Sequence, residues 1–367
     1  MESTKYSNFS IKFGERFFMT KKAKLITIIT SAVAALALII LAICLSVANS
    51  NREKTNTSIV SVDAGSHIHF VLNGNDKVTR VVPLDDNAKG IALNNQMNNL
   101  KYVDAVKLFV TKNTEAGYID INTAGYTATV TLGGDKKNYS KLQSELVSAI
   151  NGYFDQMGII AGANVTIKDN LVDFVKELKP TAQNTESKSN SGLMTQYLTI
   201  FNLVEDIRPS DREAFYTAYD TYDAEYQTTI TERPKEIAEI KEYINTLTEE
   251  INALTTEISN LPDGDDKTAK QTELNDKIAL RNNRYASIDD LQDEMDRAEN
   301  TLKNKVAVVR NTYVNNKETI NNELTSTYNA NITANKDIID SHTENFNNNK
   351  SDIQSKITDY RNSINKQ

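Results

Sequence analysis

The sequence predicts an α+β domain set between a single N-terminal transmembrane helix and a long C-terminal helical, coiled-coil region. Three observations predict this. Residues 25–47, LITIITSAVAALALIILAICLSV, carry no charge; residues 58–83 alternate apolar and polar positions around an Asn-Gly pair; residues 237–261 repeat Ile and Leu at spacings of three and four. The expected divisions are a basic cytosolic tail over 1–24, a membrane span over 25–47, an α+β domain over 58–206 and a helical region over 208–367.

The apolar run comes first. About 20 apolar residues suffice to cross the hydrocarbon core as a helix. Lys5, Lys12, Arg16, Lys21, Lys22 and Lys24 precede it against Glu2 and Glu15, whereas Arg52, Glu53 and Lys54 follow in near balance. That asymmetry places the N-terminus in the cytosol and everything after Asn49 outside. A cleaved signal peptide carries a shorter apolar core. In LAIC at 41–44, Ile43 stands where a lipoprotein signal takes a small residue. The expected location is therefore the cell membrane, single-pass, with the bulk of the chain extracytoplasmic.

Cys44 is the one cysteine, so no intramolecular disulfide forms and stability must come from packing or assembly. A net charge of −8 argues against general nucleic-acid binding. LGGDKK at 132–137 lacks the spacing of a phosphate-binding or dinucleotide loop. No nucleophile, base and orienting acid share a recognisable spacing, so no enzyme, cofactor or small-molecule substrate is expected.

After a polar spacer, SIVSVDAG, SHIHFVL and KVTRVV read as strands, with Asn73-Gly74 supplying the pair that tight hairpin turns favour. Ile68, Phe70 and Leu72 share one face of the second strand; His67, His69 and Val71 share the other. A helix is predicted over 101–116, with Val103, Val106, Phe109 and Val110 as its stripe and Gly117 at its end. Residues 118–132 read as one strand or two, 138–157 as a second helix closed by Gly158, and 163–169 as a last strand. The order ββαβαβ describes a compact domain with helices covering a mixed sheet.

These segments carry a family resemblance. VDAGSHIHFVLNGNDKVTRVVPLDDNAKGIALN, YVDAVKLFVTKNTEAGYI and KLQSELVSAINGYFDQMGIIAGANVTI together resemble the extracytoplasmic domain of RsgI-type anti-sigma factors. Asp63 and VVPLDD at 81–86 fit its opening hairpin, and SNSGLMTQYLTIFNLVED at 189–206 resembles its later helix start without that motif's lysine. The resemblance covers about 58–206 and implies a role in signalling across the membrane. Two departures go with it. The 24 residues before the span are too few for the family's sigma-holding domain, and Gly65-Ser66 stands where the family's self-cleaving Asn-Pro would be.

Gly65-Ser66 has two readings. Extracellular SEA domains cleave themselves between Gly and Ser, a hydroxyl attacking a strained peptide. The plainer reading is a glycine at a bend and a serine opening a strand. His67 and His69 point the same way and form a weak metal candidate: two ligands are not a site, no Cys or third histidine lies nearby, and solvent-facing strand residues are the expectation. Asp63 and Asp76 could add carboxylates, though no spacing requires it.

In the C-terminal half, SDRE at 210–213 forms a capping-box pattern, and Phe215, Tyr219, Tyr222 and Tyr226 make an aromatic stripe suited to packing. Pro234 kinks or restarts the helix. Ile237, Ile240, Ile244, Leu247, Ile251, Leu254, Ile258 and Leu261 then form the heptad seam expected of a coiled-coil interface. LPDGDDK reads as a solvated break, its acids lacking calcium-loop spacing. Either an antiparallel hairpin of 235–261 against about 267–295 or a parallel homodimer satisfies the seam. The expected partner is a protein, or a second copy of the chain.

Overall fold

The computed structural model describes residues 56–135 and 139–364. The tail 1–24 and the apolar segment 25–47 lie outside the described residues. No helix among the described residues is long and apolar enough to cross a membrane.

Five strands form one sheet: β1 Ser58–Asp63, β2 His67–Leu72, β3 Val78–Pro83, β4 Tyr126–Gly134 and β5 Ala161–Lys168. Their order is β3-β2-β1-β4-β5, with β4 and β5 parallel and every other pair antiparallel. Helices α1 Asp86–Asn94, α2 Tyr102–Glu115 and α3 Tyr139–Met157 join the strands, followed by α4 Val172–Leu178 and α5 Asn190–Val204. The order is therefore βββααβαβαα, which corrects the expected ββαβαβ. Helix α1 has a weak apolar pattern and was not read from sequence; its N-cap is Asp85, whose carboxylate accepts from the Ala88 backbone N–H at 2.8 Å. Residues 118–125 are turns rather than strand, closed by Gly125 at φ 95°.

One sheet face follows the expected alternation. Val60, Val62, Ile68, Phe70 and Leu72 are fully buried in one core with Val106 and Phe109 of α2 and Leu146 and Phe154 of α3. Burying such side chains contributes roughly 1.5–3 kcal/mol each before entropy is counted.

Beyond Arg212 the chain is helical: α6 Arg212–Asn260, α7 Asp265–Val314, α8 Lys317–Asn348 and α9 Lys350–Ile364. Pro234 sits inside a continuous α6 instead of dividing it. Ser210 lies in a short 3-10 turn, Pro209–Asp211, and its hydroxyl bonds Asp86 at 3.0 Å, so SDRE is not a capping box.

The described residues form two compact units, one of them Thr217–Val309. Within it α6 and α7 run antiparallel. Ile251, Leu254 and Ile258 cluster with Leu274 and Ile278, and Ile237, Ile240 and Ile244 with Ile288, Leu291 and Met295. Leu247 is buried, and Leu261 lies just past the helix end, half-buried. Lys277–Glu250 at 2.9 Å and Lys270–Glu257 at 3.0 Å flank the seam.

The other unit joins the sheet and its helices to the end of the chain, from Arg310 onward. Residues 208–367 are predicted as one helical region; in the structure α8 and α9 pack against the α+β fold. Tyr328 enters the main core. Gly158, at φ 67°, leaves room for Phe346, whose ring a Cβ there would meet at 2.3 Å. On the β5 edge, Arg361 donates to the Ala161 carbonyl at 3.1 Å and pairs with Asp155 at 2.8 Å. That contact occupies part of an edge that would otherwise present unpaired backbone groups.

Candidate functional site

Two backbone positions set up the region where β1 turns into β2. Gly65 has φ 86°, and a Cβ there would lie 2.4 Å from the Tyr118 carbonyl oxygen, so only glycine fits. Ser66 is buried, and its hydroxyl donates to Asn113 Oδ1 at 2.6 Å. Asn113 is itself fixed, donating to the Phe109 carbonyl at 2.9 Å. The Gly65-Ser66 pair is thus tied to the end of α2. The partner of the serine hydroxyl is a neutral amide oxygen.

The next residues behave differently from the sequence expectation. The sequence predicts His67 and His69 as solvent-facing, yet His69 is fully buried and His67 is half-buried. Helices α4 and α5 cover that face. The Phe174 ring stands edge-on to His69 at 5.6 Å, and it also fills the space beside Gly133 where a Cβ would lie 2.3 Å away. Strand alternation says which side chains share a face, not whether the face is covered. A signal was present nonetheless: Ile59 and Val71 lie on the histidine face by register, and both are fully buried.

The imidazoles converge on one carboxylate. His69 Nε2 lies 2.7 Å from Glu177 Oε2, and His67 Nε2 lies 3.7 Å from the same oxygen. His69 Nδ1 lies 2.9 Å from the Tyr197 hydroxyl, and His67 Nε2 lies 2.7 Å from Ser61 Oγ. The His67 backbone N–H donates to Asp85 Oδ2 at 2.6 Å, so the cap of α1 also fixes the start of β2. One ligand atom from each of His67, His69 and Glu177 lies within 4.8 Å of the other two. Asp63 and Asp76 are not in this group.

Burial pushes the His69 pKa down; the Glu177 hydrogen bond and charge oppose this, while His67 and Arg212 add to it. Burial raises Glu177, but the His69 hydrogen bond and charge outweigh it and hold the carboxyl below its ordinary value. Burial also keeps Tyr197 protonated. A neutral His69 facing an acceptor-only carboxylate carries its proton on Nε2, and Nδ1 then accepts from the Tyr197 hydroxyl. Arg212 is also buried, donating to the Pro83 carbonyl at 2.7 Å, and its charge acts on His69.

Glu177, Tyr197 and Arg212 were not found from sequence. Glu177 lies 108 residues and Tyr197 128 residues after His69, on helices that show no pattern pointing at a strand.

Residues 57–197 match the anti-sigma factor RsgI-like central domain. This RsgI-like domain holds all five strands and also Ser61, His67, His69, Glu177 and Tyr197. Its limits agree with the resemblance read over about 58–206. No curated protein matches the chain. At the level of the family, the domain supports a signalling or regulatory role with protein partners.

Proposed function

We propose that this chain is a membrane-anchored, non-enzymatic sensor or scaffold. In this reading its RsgI-like domain and helical hairpin lie outside the cell and its basic tail in the cytosol. One observation carries the proposal: the RsgI-like match at 57–197 directly follows the uncharged apolar segment 25–47 with its basic N-terminal flank. The hairpin of α6 and α7 supports a protein-binding role. Its Ile and Leu seam residues pack on one another, which leaves long, mostly polar faces suited to protein contacts rather than to a small-molecule cleft.

Protease protection in intact cells tests the topology: residues after Asn49 should be digested from outside and the tail spared. Crosslinked pull-down from membranes, with and without residues 217–309, tests the hairpin's role. A partner recovered equally well by both chains removes that role.

A second reading is signalling through cleavage near Gly65-Ser66. The Gly-Ser pair at the turn from β1 to β2 favours it, with a separate protease making the cut, since the Ser66 hydroxyl donates to the neutral Asn113 amide. Immunoblots of membranes for a fragment beginning at Ser66 test it.

A further inference from the structure

We propose that His67, His69 and Glu177 bind a divalent transition-metal ion of the zinc class, clamping α4 onto β2. The proposal is independent of where the chain resides and of any cleavage.

Geometry carries it. One ring nitrogen from each of His67 and His69 and a Glu177 carboxylate oxygen lie within 4.8 Å of one another, and it is the Nε2 atoms that face Glu177. A tetrahedral ion with bonds of about 2.0–2.2 Å requires donor atoms roughly 3.3–3.6 Å apart. The His67–Glu177 separation of 3.7 Å must close by roughly 0.1 Å, and the His69–Glu177 separation of 2.7 Å must open by roughly 0.6 Å. Glu177 can make that adjustment because its side chain is 39% exposed, while His69 at 0% stays fixed. His67, at 30%, opens the cluster to solvent and gives an ion access.

The surroundings suit a metal as well. Imidazole nitrogen and carboxylate oxygen are the donor types that zinc-class ions take, and both meet here at one half-open point. In the metal-free state the His69 proton lies on Nε2 between the ring and Glu177. On binding it moves to Nδ1, and the Tyr197 oxygen at 2.9 Å changes from donor to acceptor; no net proton leaves the ring. His67 exchanges its bond to Ser61 Oγ for the ion, and water completes the fourth position. Two imidazoles and one carboxylate select zinc and its neighbours over calcium or magnesium, which require oxygen shells. Arg212 opposes a cation at the cluster, whereas Asp173, Asp85 and Asp63, the last paired with His67 across β1 and β2, favour one.

The consequence is mechanical. Two ligands belong to the sheet and the third to α4, so occupancy would tie together elements more than 100 residues apart in sequence. Such binding also raises the stability of the unit, by an amount that grows with the logarithm of the free-ion concentration once the site is filled.

The test uses the untagged full chain, stripped with chelator and titrated with zinc chloride by calorimetry, then with cobalt chloride by visible absorption. The expected result is one saturable zinc per chain and a tetrahedral cobalt spectrum. Glu177→Gln and His67→Ala should each weaken binding at least about tenfold, and Tyr197→Phe about tenfold through the lost support of Nδ1. Glu177→Gln conserves shape, and metal-free melting curves establish that each variant is folded. Absence of a saturable site overturns the proposal, and so does affinity that is unchanged in both folded ligand variants.

Discussion

Asn335 donates from Nδ2 to the Thr114 carbonyl at 2.9 Å, and to that of Glu115 at 3.2 Å, across 221 and 220 residues of chain. These are the last carbonyls of α2, which have no partner within their own helix. Gly117, at φ 74°, lets the chain turn away, and a Cβ there would meet Asn335 at 3.1 Å. Asn335→Ala should cost about 0.5–1.5 kcal/mol, because the part-buried Glu115 carbonyl loses its side-chain donor while the Thr114 carbonyl keeps the Gly117 N–H at 3.0 Å. Gly117→Ala should also destabilise, by at least about 1 kcal/mol. Urea unfolding of both variants checks this, and a midpoint unchanged in Asn335→Ala would show that water serves these carbonyls equally well.

The same packing predicts which parts of the helical half can be removed. Phe215 and Tyr313 stand edge-to-face at 6.3 Å, so a short Gly-Ser linker from 216 to 310 can replace the hairpin. That chain should retain a cooperative unfolding transition. Deleting 310–367 instead uncovers the sites that Tyr328 and Phe346 fill, each large aromatic contributing roughly 3–5 kcal/mol, and should abolish the transition. Calorimetry on the two deletions distinguishes them; equal stability would mean that α8 and α9 are dispensable.

At Gly65-Ser66 the purified chain should not cleave itself, so a cut there in the cell would need a separate protease. Attack by the hydroxyl on the Gly65 carbonyl requires a base, and the proton of Ser66 is donated to the neutral Asn113 amide. Mass spectrometry of the purified chain should give a single intact mass after prolonged incubation; a product starting at Ser66, absent in Ser66→Ala, would reverse this. Gly65→Ala should destabilise strongly, since its Cβ would overlap the Tyr118 carbonyl.

Acid should weaken the fold through His69. Its folded pKa lies below the ordinary value of 6.5 because the ring is buried. Above that pH both states hold the ring neutral and the residue has no influence. Below it, the unfolded chain takes up a proton that the folded chain refuses, and stability falls as the pH drops towards the folded value. Glu177, held below its ordinary 4.5, adds its own loss only at lower pH. Melting temperatures at pH 7.5, 6.5 and 5.5 should decline, and decline less in His69→Gln. A flat profile would remove this role.

Much of the fold was legible because burial leaves periodic marks. The stripe of Val106 and Phe109 located α2, read over 101–116 and observed as Tyr102–Glu115. Leu142, Leu146, Ile150 and Phe154 located α3 equally well, and all four are buried. Helix α1 escaped because Asp86–Asn94 has little apolar contrast; a tertiary wall of α8 holds it, with the Leu324 carbonyl 3.2 Å from where a Gly90 Cβ would be. The candidate site was half legible. The shared face of His67 and His69 follows from the period of a strand, but its cover and its third donor come from elsewhere in the chain.

The sequence by itself determined the local features: the alternation of β1 and β2, the Ile and Leu seam from Ile237 to Ile258, and the glycines that end α2 and α3. Each depends on residues a few positions apart, whose spacing is set by helix or strand geometry. Tertiary structure decided that α4 and α5 bury the histidine face, that Glu177 meets His67 and His69, and that α8 and α9 return to the α+β unit. Those outcomes depend on which surfaces meet across 100 or more residues, and that is fixed by complementary packing and by buried polar groups finding partners, neither of which has a sequence period.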